Sequence, residues 1–328
     1  MRDVLSLGSH VYGIYVNCVA LPLPGETVLG HDFDGMVLDD GGKGSNQALA
    51  AARLGARSSF AGVVGRDAAG EKGLLILAGA GVDVSAVQRC ADAPTGVSIA
   101  VIDRAGQSMI VTDLGANGRL SAEMVGSLTP LIAAHTVTLL QFESPVPAAL
   151  AAARAATALG RRAILTPGPM VPISHRDLIG IDIIAPNETE TAALLGTTEL
   201  GDDDAGCIRR LKDIYGVRNV LMTRGKAGAT LLWTDEIHRV PAFAVEAKNT
   251  IGAGDGFVAA FAAALAWSVP VEHGLAFAAA ASALTVSSPL APWASYPVLA
   301  DVLGFLQSRG AQETAEAVSR HAPETGSK

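Results

Sequence analysis

The chain has 328 residues, a formal net charge of −8, and 49% hydrophobic against 17% charged residues. That balance supplies a sizeable core and argues against nucleic acid or an anionic membrane surface as partner. Its three cysteines, Cys18, Cys90 and Cys207, are odd in number and lack metal-type spacing, which suits reduced thiols and not a disulfide scaffold.

In chain order, apolar or β-branched runs at Val4–Leu7, Ser59–Val64, Thr136–Leu140, Ala163–Thr166, Ile181–Ala185, Val220–Thr223 and Ala229–Leu232 read as strands. Helical stretches such as Gly44–Leu54, Pro147–Leu159 and Ala205–Ile214 separate many of them. The alternation predicts an α/β fold of three layers, a mainly parallel sheet with helices on both faces. In such sheets ligands sit beyond the carboxyl ends of the strands. Glu143, Asn187 and Thr223 each follow a strand end and are expected to converge on one crevice.

A different texture marks Val11–Val16, Asp32–Leu38, Gly96–Asp103 and Ser108–Leu114, which are mixed in polarity and joined by turns. They read as a small second sheet, with edge strands of the main sheet as the alternative. Positive mean hydropathy (+0.35) raises the question of membrane spans. The apolar runs Phe257–Val269 and Gly274–Val286 hold about 13 residues each, short of the roughly 20 a span needs. They read as buried helices. The opening residues carry no basic-then-apolar leader pattern, so a cytoplasmic location is expected. Residues 1–308 form one expected domain, and the polar stretch 309–328 reads as a mobile tail.

Two glycine-rich stretches carry the chemistry. Asn249-Thr250-Ile251-Gly252-Ala253-Gly254-Asp255-Gly256 runs into an alanine-rich segment, so residues 252 to 255 form the first turn of a helix. The unpartnered amides of such a turn hold an anion, and Asp255 sits among them as a potential general base. An anion cradle beside a base is what phosphoryl transfer to an alcohol requires. The plainer reading is an N-capping aspartate. Earlier, Gly41-Gly42-Lys43-Gly44-Ser45-Asn46-Gln47-Ala48 opens another helix with Lys43 and Asn46 able to meet hydroxyls or phosphate. It fits neither the P-loop spacing nor the dinucleotide fingerprint G-x-G-x-x-G, which disfavours an oxidoreductase. Its plainer reading is a tight turn.

Together these stretches resemble the ribokinase-like (phosphofructokinase-B type) carbohydrate kinases, with the nearest likeness to the ribokinase branch. Gly8-Ser9, Pro24-Gly25-Glu26-Thr27, Gln141-Phe142-Glu143-Ser144-Pro145, Pro186-Asn187-Glu188-Thr189-Glu190 and Thr223-Arg224-Gly225-Lys226-Ala227-Gly228 fall in family order between and around them. The resemblance implies ATP-dependent phosphorylation of a primary hydroxyl on a sugar or sugar-like acceptor. It implies Asp255 as base and the amides of Gly252, Ala253 and Gly254 as anion hole. Gly42, Lys43, Asn46 and Glu143 match positions that bind the sugar. Asn187 and Glu190 look like the family's N-x-x-E pair, which organises magnesium through water; a helix cap is the alternative. Thr223, Gly225 and Gly228 resemble the loop that meets the nucleotide, though alone they read as a hairpin turn. The small sheet would be the lid that covers the sugar and mediates a homodimer.

Departures from the family pattern also carry expectations. Where ribokinases place Asn and Asp in the lid strand, this chain has Val11 and Gly13. Losing hydroxyl-reading groups relaxes rejection of analogues, so the expected acceptor is not ordinary ribose, or is bulkier, with a nucleoside kinase as one alternative and a non-catalytic binding regulator as another. His10, Tyr12 and Asp40 are candidate replacements. Asn249 stands where the family has Asp beside a monovalent-cation site that would include Ile251. Loss of the charge weakens the hold on potassium, and reduced or absent potassium activation is expected.

Overall fold

The computed structural model describes residues 2–30, 38–104, 107–289 and 292–323. Fourteen strands are present among them: β1 (Arg2–Leu7), β2 (Val11–Asn17), β3 (Leu38–Gly41), β4 (Ser58–Ala61), β5 (Val63–Gly65), β6 (Gln88–Cys90), β7 (Gly96–Ile102), β8 (Ser108–Asp113), β9 (His135–Gln141), β10 (Arg162–Thr166), β11 (Ile183–Ile184), β12 (Asn219–Thr223), β13 (Ala229–Trp233) and β14 (Glu236–Val240). The main sheet runs β14-β13-β12-β11-β10-β9-β1-β4. All its pairs are parallel except β12–β13 and β13–β14. Strands buried on both faces need side chains that are apolar in both directions. Val4, Leu139, Ile164, Ile183 and Leu221 point to one core, and their neighbours Leu5, Leu140, Leu165, Ile184 and Val220 point to the other.

The first core is covered by helices α1 (Lys43–Arg53) and α2 (Ala68–Gly79), and by five later helices described below. The second lies under α3 (Ala122–Ser127), α4 (Thr129–Ala134), α5 (Val146–Ala158), α6 (Glu188–Leu195) and α7 (Asp204–Tyr215). From there the chain returns to the first face through α8 (Ala253–Ala266), α9 (Val271–Ser287), the one-turn α10 (Pro292–Ser295), α11 (Leu299–Ser308) and α12 (Gln312–His321). The α8 and α9 pair is the apolar double run seen in the sequence, and small side chains let it pack closely: an added Cβ at Gly274 would lie 3.2 Å from that of Ala264. Among the described residues no helix is long and apolar enough to cross a membrane.

The second texture is a separate four-stranded sheet, β3-β2-β7-β8, and not an edge of the main one. Gly13 lies opposite Asp39 on one side and Ser98 on the other. The strand expected over 32–38 falls almost wholly outside the described residues, where only its end, Leu38, begins β3. Two sequence expectations need correction, and one strand was not expected. The run 59–64 divides at Gly62, and its second half leaves the main sheet to pair with β6. The edge strand β14 went unread, because Glu236, His238 and Arg239 break its apolar pattern at a sheet margin. The stretch after residue 309 is not a mobile tail over 312–321: α12 buries Thr314, Ala315, Ala317 and Val318, a helical stripe of small side chains. Residues 324–328 lie outside the described residues.

Candidate active site

Strand β1 neighbours β4 on one side and β9 on the other, reached by helices on opposite faces, so the crevice opens beyond the ends of β1 and β9. The glycine loop before α1 presses into that crevice. An added Cβ at Gly44 would lie 2.6 Å from the Ser9 amide, so only glycine permits the approach. The Ser45 amide donates to the Ser9 carbonyl at 2.9 Å, tying the start of α1 to the end of β1. Half-buried Glu143, after β9, accepts from Ser9 Oγ at 2.6 Å and from the Lys43 amide at 2.7 Å, both on Oε2.

Across the crevice, Gly252 takes φ of 78° as the N-cap of α8, a left-handed conformation that favours glycine. With no side chain there, the helix start receives no side-chain cap. Asp255 occupies the third helical position and is buried, 6% exposed. Its carboxylate is held by another helix: Asn46 Nδ2 donates to Oδ2 at 3.0 Å and Gln47 Nε2 donates to Oδ1 at 3.0 Å. Each amide is oriented in turn. Trp293 Nε1 donates to Asn46 Oδ1 at 2.8 Å, and Gln141 Nε2 donates to Gln47 Oε1 at 2.6 Å. Of the three expected anion-hole amides, that of Ala253 donates to the Thr250 carbonyl at 3.3 Å, while Gly254 is exposed with open space beyond it.

Lys43 lies between the two sides. Asp255 is the chief cause that holds its ammonium above the usual lysine range; Glu143 and Glu190 add to this against the opposing effect of burial. Three carboxylates around one ammonium leave excess negative charge, which suits a site that handles a cation-bound polyphosphate.

Asn187 and Glu190 form a closed capping box at the start of α6. Asn187 Oδ1 accepts from the Glu190 amide at 2.8 Å, and Glu190 Oε2 accepts from the Asn187 amide at 2.9 Å. Burial pushes the Glu190 carboxyl up, with the Asn187 amide and Lys43 pulling the other way. Its Oε1 lies against Gly168. Among the described residues no cluster of three or more His, Cys, Asp and Glu suited to a metal is found. Asn187 and Glu190 offer side-chain oxygens, the donor type that magnesium takes alongside water and phosphate.

Thr223 ends β12 and bridges Asn187. Gly225 and Gly228 close the turn into β13, where the Arg224 amide donates to the Gly228 carbonyl at 2.8 Å. The Arg224 guanidinium pairs with Glu188 and Asp204, fixing this turn to the starts of α6 and α7. Asn249 Oδ1 accepts from the Ile251 amide at 3.0 Å, so its carbonyl oxygen shapes the turn that leads to Gly252.

On the lid, Val11, Gly13 and Tyr15 share one strand face. An added Cβ on Gly41 would meet the Tyr15 hydroxyl at 3.5 Å and Val11 at 3.8 Å, so this face looks onto the glycine loop. Ser98, beside Gly13 in the ladder, has its hydroxyl 3.0 Å from that of Thr112. His10, in the link from β1 to the lid, is buried with Nδ1 3.4 Å from Ser45 Oγ, and burial pushes its imidazole down to about 4.

Gly42, Lys43, Asn46, Glu143, Glu190 and Asp255 are thus brought to one crevice, while Gly225 and Gly228 lie in the turn from β12 to β13. Sequence reasoning missed Ser9, Gln47 and Trp293 as parts of the site. Gln47 had a signal, since it directly follows Asn46 in the glycine-rich motif; Trp293 had none.

Known proteins resemble this chain over nearly its whole length. The family model for pfkB family carbohydrate kinases matches residues 1–292. The ribokinase of Schizosaccharomyces pombe is 33% identical over 93% of this chain and 98% of its own length. The ribokinase of Haemophilus influenzae is 32% identical over 94% and 99%. Among solved structures, Arabidopsis thaliana ribokinase complexed with ribose and ATP superposes with a TM-score of 0.83 at 33% identity, covering 93% of this chain and 99% of that one.

Proposed function

The chain belongs to the pfkB family of carbohydrate kinases, and from that premise we propose that Asp255 is the general base of ATP-dependent phosphorylation at a sugar's primary hydroxyl. The hydroxyl oxygen forms a bond to the γ-phosphorus as the bond from that phosphorus to the β-bridging oxygen breaks. The hydroxyl proton passes to the Asp255 carboxylate and ADP leaves. Charge building on the transferred group meets the start of α8, where the amides of Gly252 and Gly254 lead and that of Ala253 is shared with the Thr250 carbonyl. The Lys43 ammonium offsets part of the negative charge of Asp255, Glu143 and Glu190 while the anion is bound. Magnesium, when bound with the nucleotide, neutralises phosphate charge, and Asn187 and Glu190 would hold it through water. Thr223, Gly225 and Gly228 border the nucleotide.

The observation that carries this reading is the state of Asp255: a buried carboxylate at a helix start that caps nothing of its own helix and is aimed by two amides from another. Glu143 Oε1, Gly42 and Lys43 receive the sugar. Above it the lid offers Val11 and Gly13 and no charged group on β2, and the cross-strand row of Gly13 runs from Asp39 on β3 to Ser98 and Thr112, whose hydroxyls lie 3.0 Å apart. The acceptor is therefore a sugar that presents fewer hydroxyls, or more bulk, to the lid than ribose does. An ATP-consumption assay across ribose, deoxyribose, hexoses and nucleosides tests this. Efficient turnover of ribose alone overturns the acceptor reading; no turnover with any of them overturns the kinase reading at this site. The outer lid face exposes Ile99, Met109 and Val111, at 45%, 52% and 72%, and that apolar strip supports a homodimer through the lid. The side-chain oxygen that Asn249 devotes to its own turn supports weak or absent potassium activation.

A further inference from the structure

Asn46 is an amide with two chemically different ends, and both are engaged inside the protein. Its oxygen accepts from Trp293 at 2.8 Å and its nitrogen donates to Asp255 at 3.0 Å. A carboxamide alone is free to turn over, which would aim its oxygen at the carboxylate of Asp255 and replace an attraction by a repulsion. The indole N–H prevents this. It donates and cannot accept, so the atom facing Trp293 must be Oδ1, and the atom facing Asp255 must then be Nδ2. The parallel link from Gln141 through Gln47 has no such anchor, because Gln141 is itself an amide that can turn.

Trp293 is built to hold this position. It is 4% exposed, Arg53 Nη1 donates to its carbonyl at 3.0 Å, and its ring lies 5.8 Å from that of His10. The same segment also touches the other side of the site: the Tyr296 hydroxyl donates to the Gly252 carbonyl at 3.4 Å, at the N-cap of α8. The aromatic residues of one short stretch thus reach Asn46 on α1 and the turn that presents Asp255.

We propose that Trp293 is a positioning residue for the reaction, locking the Asn46 carboxamide so that it directs the carboxylate of Asp255 at the acceptor hydroxyl. This rests on Asp255 being the base. It also changes the role of Asn46, which serves the base and not chiefly the sugar.

The test is Trp293→Phe, which keeps an aromatic ring and removes the N–H with part of the indole's volume. In the full chain, kcat should fall roughly tenfold, the scale of one buried hydrogen bond, with KM for acceptor and for ATP within about twofold of wild type. Trp293→His, which keeps a ring N–H, should recover part of the loss. In an Asn46→Ala background the same Trp293→Phe change should cost nothing further, since the link it acts through is gone. Three results overturn the inference: kcat within twofold of wild type in Trp293→Phe, a loss that persists in full on Asn46→Ala, or a loss that resides in KM. Asp255→Asn measured alongside separates the two claims. If Asp255→Asn keeps near-normal turnover, the base assignment itself fails; if it is inactive while Trp293→Phe is unaffected, only the role of Trp293 fails.

Discussion

Helices α6 and α8 start from the same local pattern, an acid at the third helical position after an extended or glycine turn, yet the two acids are held in opposite ways. Glu190 turns back on its own helix and closes a capping box with Asn187. Asp255 does not turn back to its N-cap glycine, and its two oxygens are taken by Asn46 and Gln47 of α1. A carboxylate engaged in capping stabilises one turn of backbone. One held by side chains from a separate helix stays aimed into the crevice, where an alcohol proton can reach it. The two starts differ locally in the N-cap, asparagine at α6 and glycine at α8, and in the acid itself, glutamate at α6 and the shorter aspartate at α8.

The sharpest way to break this contrast is to neutralise each acid in turn. Asp255→Asn should lower kcat by about 10²–10⁴, the usual scale for a general base. Glu190→Gln keeps an oxygen to accept from the Asn187 amide and should cost roughly 10- to 100-fold, as for groups acting behind a metal's water. Steady-state rates at saturating ATP, magnesium and acceptor decide it. Equal losses in the two variants would mean that the capping acid is as close to the chemistry as the one held by α1.

Next in size is the cap itself. Asn187→Ala removes the acceptor for the Glu190 amide and should lower stability by about 1 kcal/mol, read as a fall in denaturation midpoint without nucleotide. No comparable side-chain cap exists at α8, so its start must be held by the contacts that Tyr296 and Asp255 make. An Asn187→Ala protein of unchanged stability would show that the box in α6 is incidental, and the contrast would lose one side.

Much of this architecture was legible beforehand. Strands buried on both faces left unbroken apolar runs, and the two glycine loops marked both walls of the crevice. The partners of Asp255 were not legible, because hydrogen bonds from Asn46 and Gln47 span 209 and 208 positions, and that from Trp293 to Asn46 spans 247. Nothing in local periodicity reports a contact of that kind. Strand β14 and helix α12 escaped for another reason: each buries only a narrow face of small or mixed side chains, so the hydrophobic signal is weak. At α6 the motif suggested both a cap and a magnesium pair, and the capping box takes one side-chain oxygen from each residue, Asn187 Oδ1 and Glu190 Oε2.

The smallest effect is the most specific to Glu190. Burial is the largest influence on its carboxyl and raises its folded-state value above the ordinary 4.5. Folded protein therefore binds more protons than unfolded protein as pH passes from the unfolded value up to the folded one. Stability from this group is complete below about pH 4.5 and is lost as pH rises through the raised value. Glu190→Gln cannot ionise and keeps the box, so it escapes the loss. Without nucleotide or magnesium, the melting temperature of Glu190→Gln should gain on wild type as pH rises from 4 to neutrality. Above the raised value the difference should level off. A difference that stays flat across that range, or that shrinks, would mean that the Asn187 amide and Lys43 outweigh burial, and that Glu190 is held in its ionised form by the protein alone.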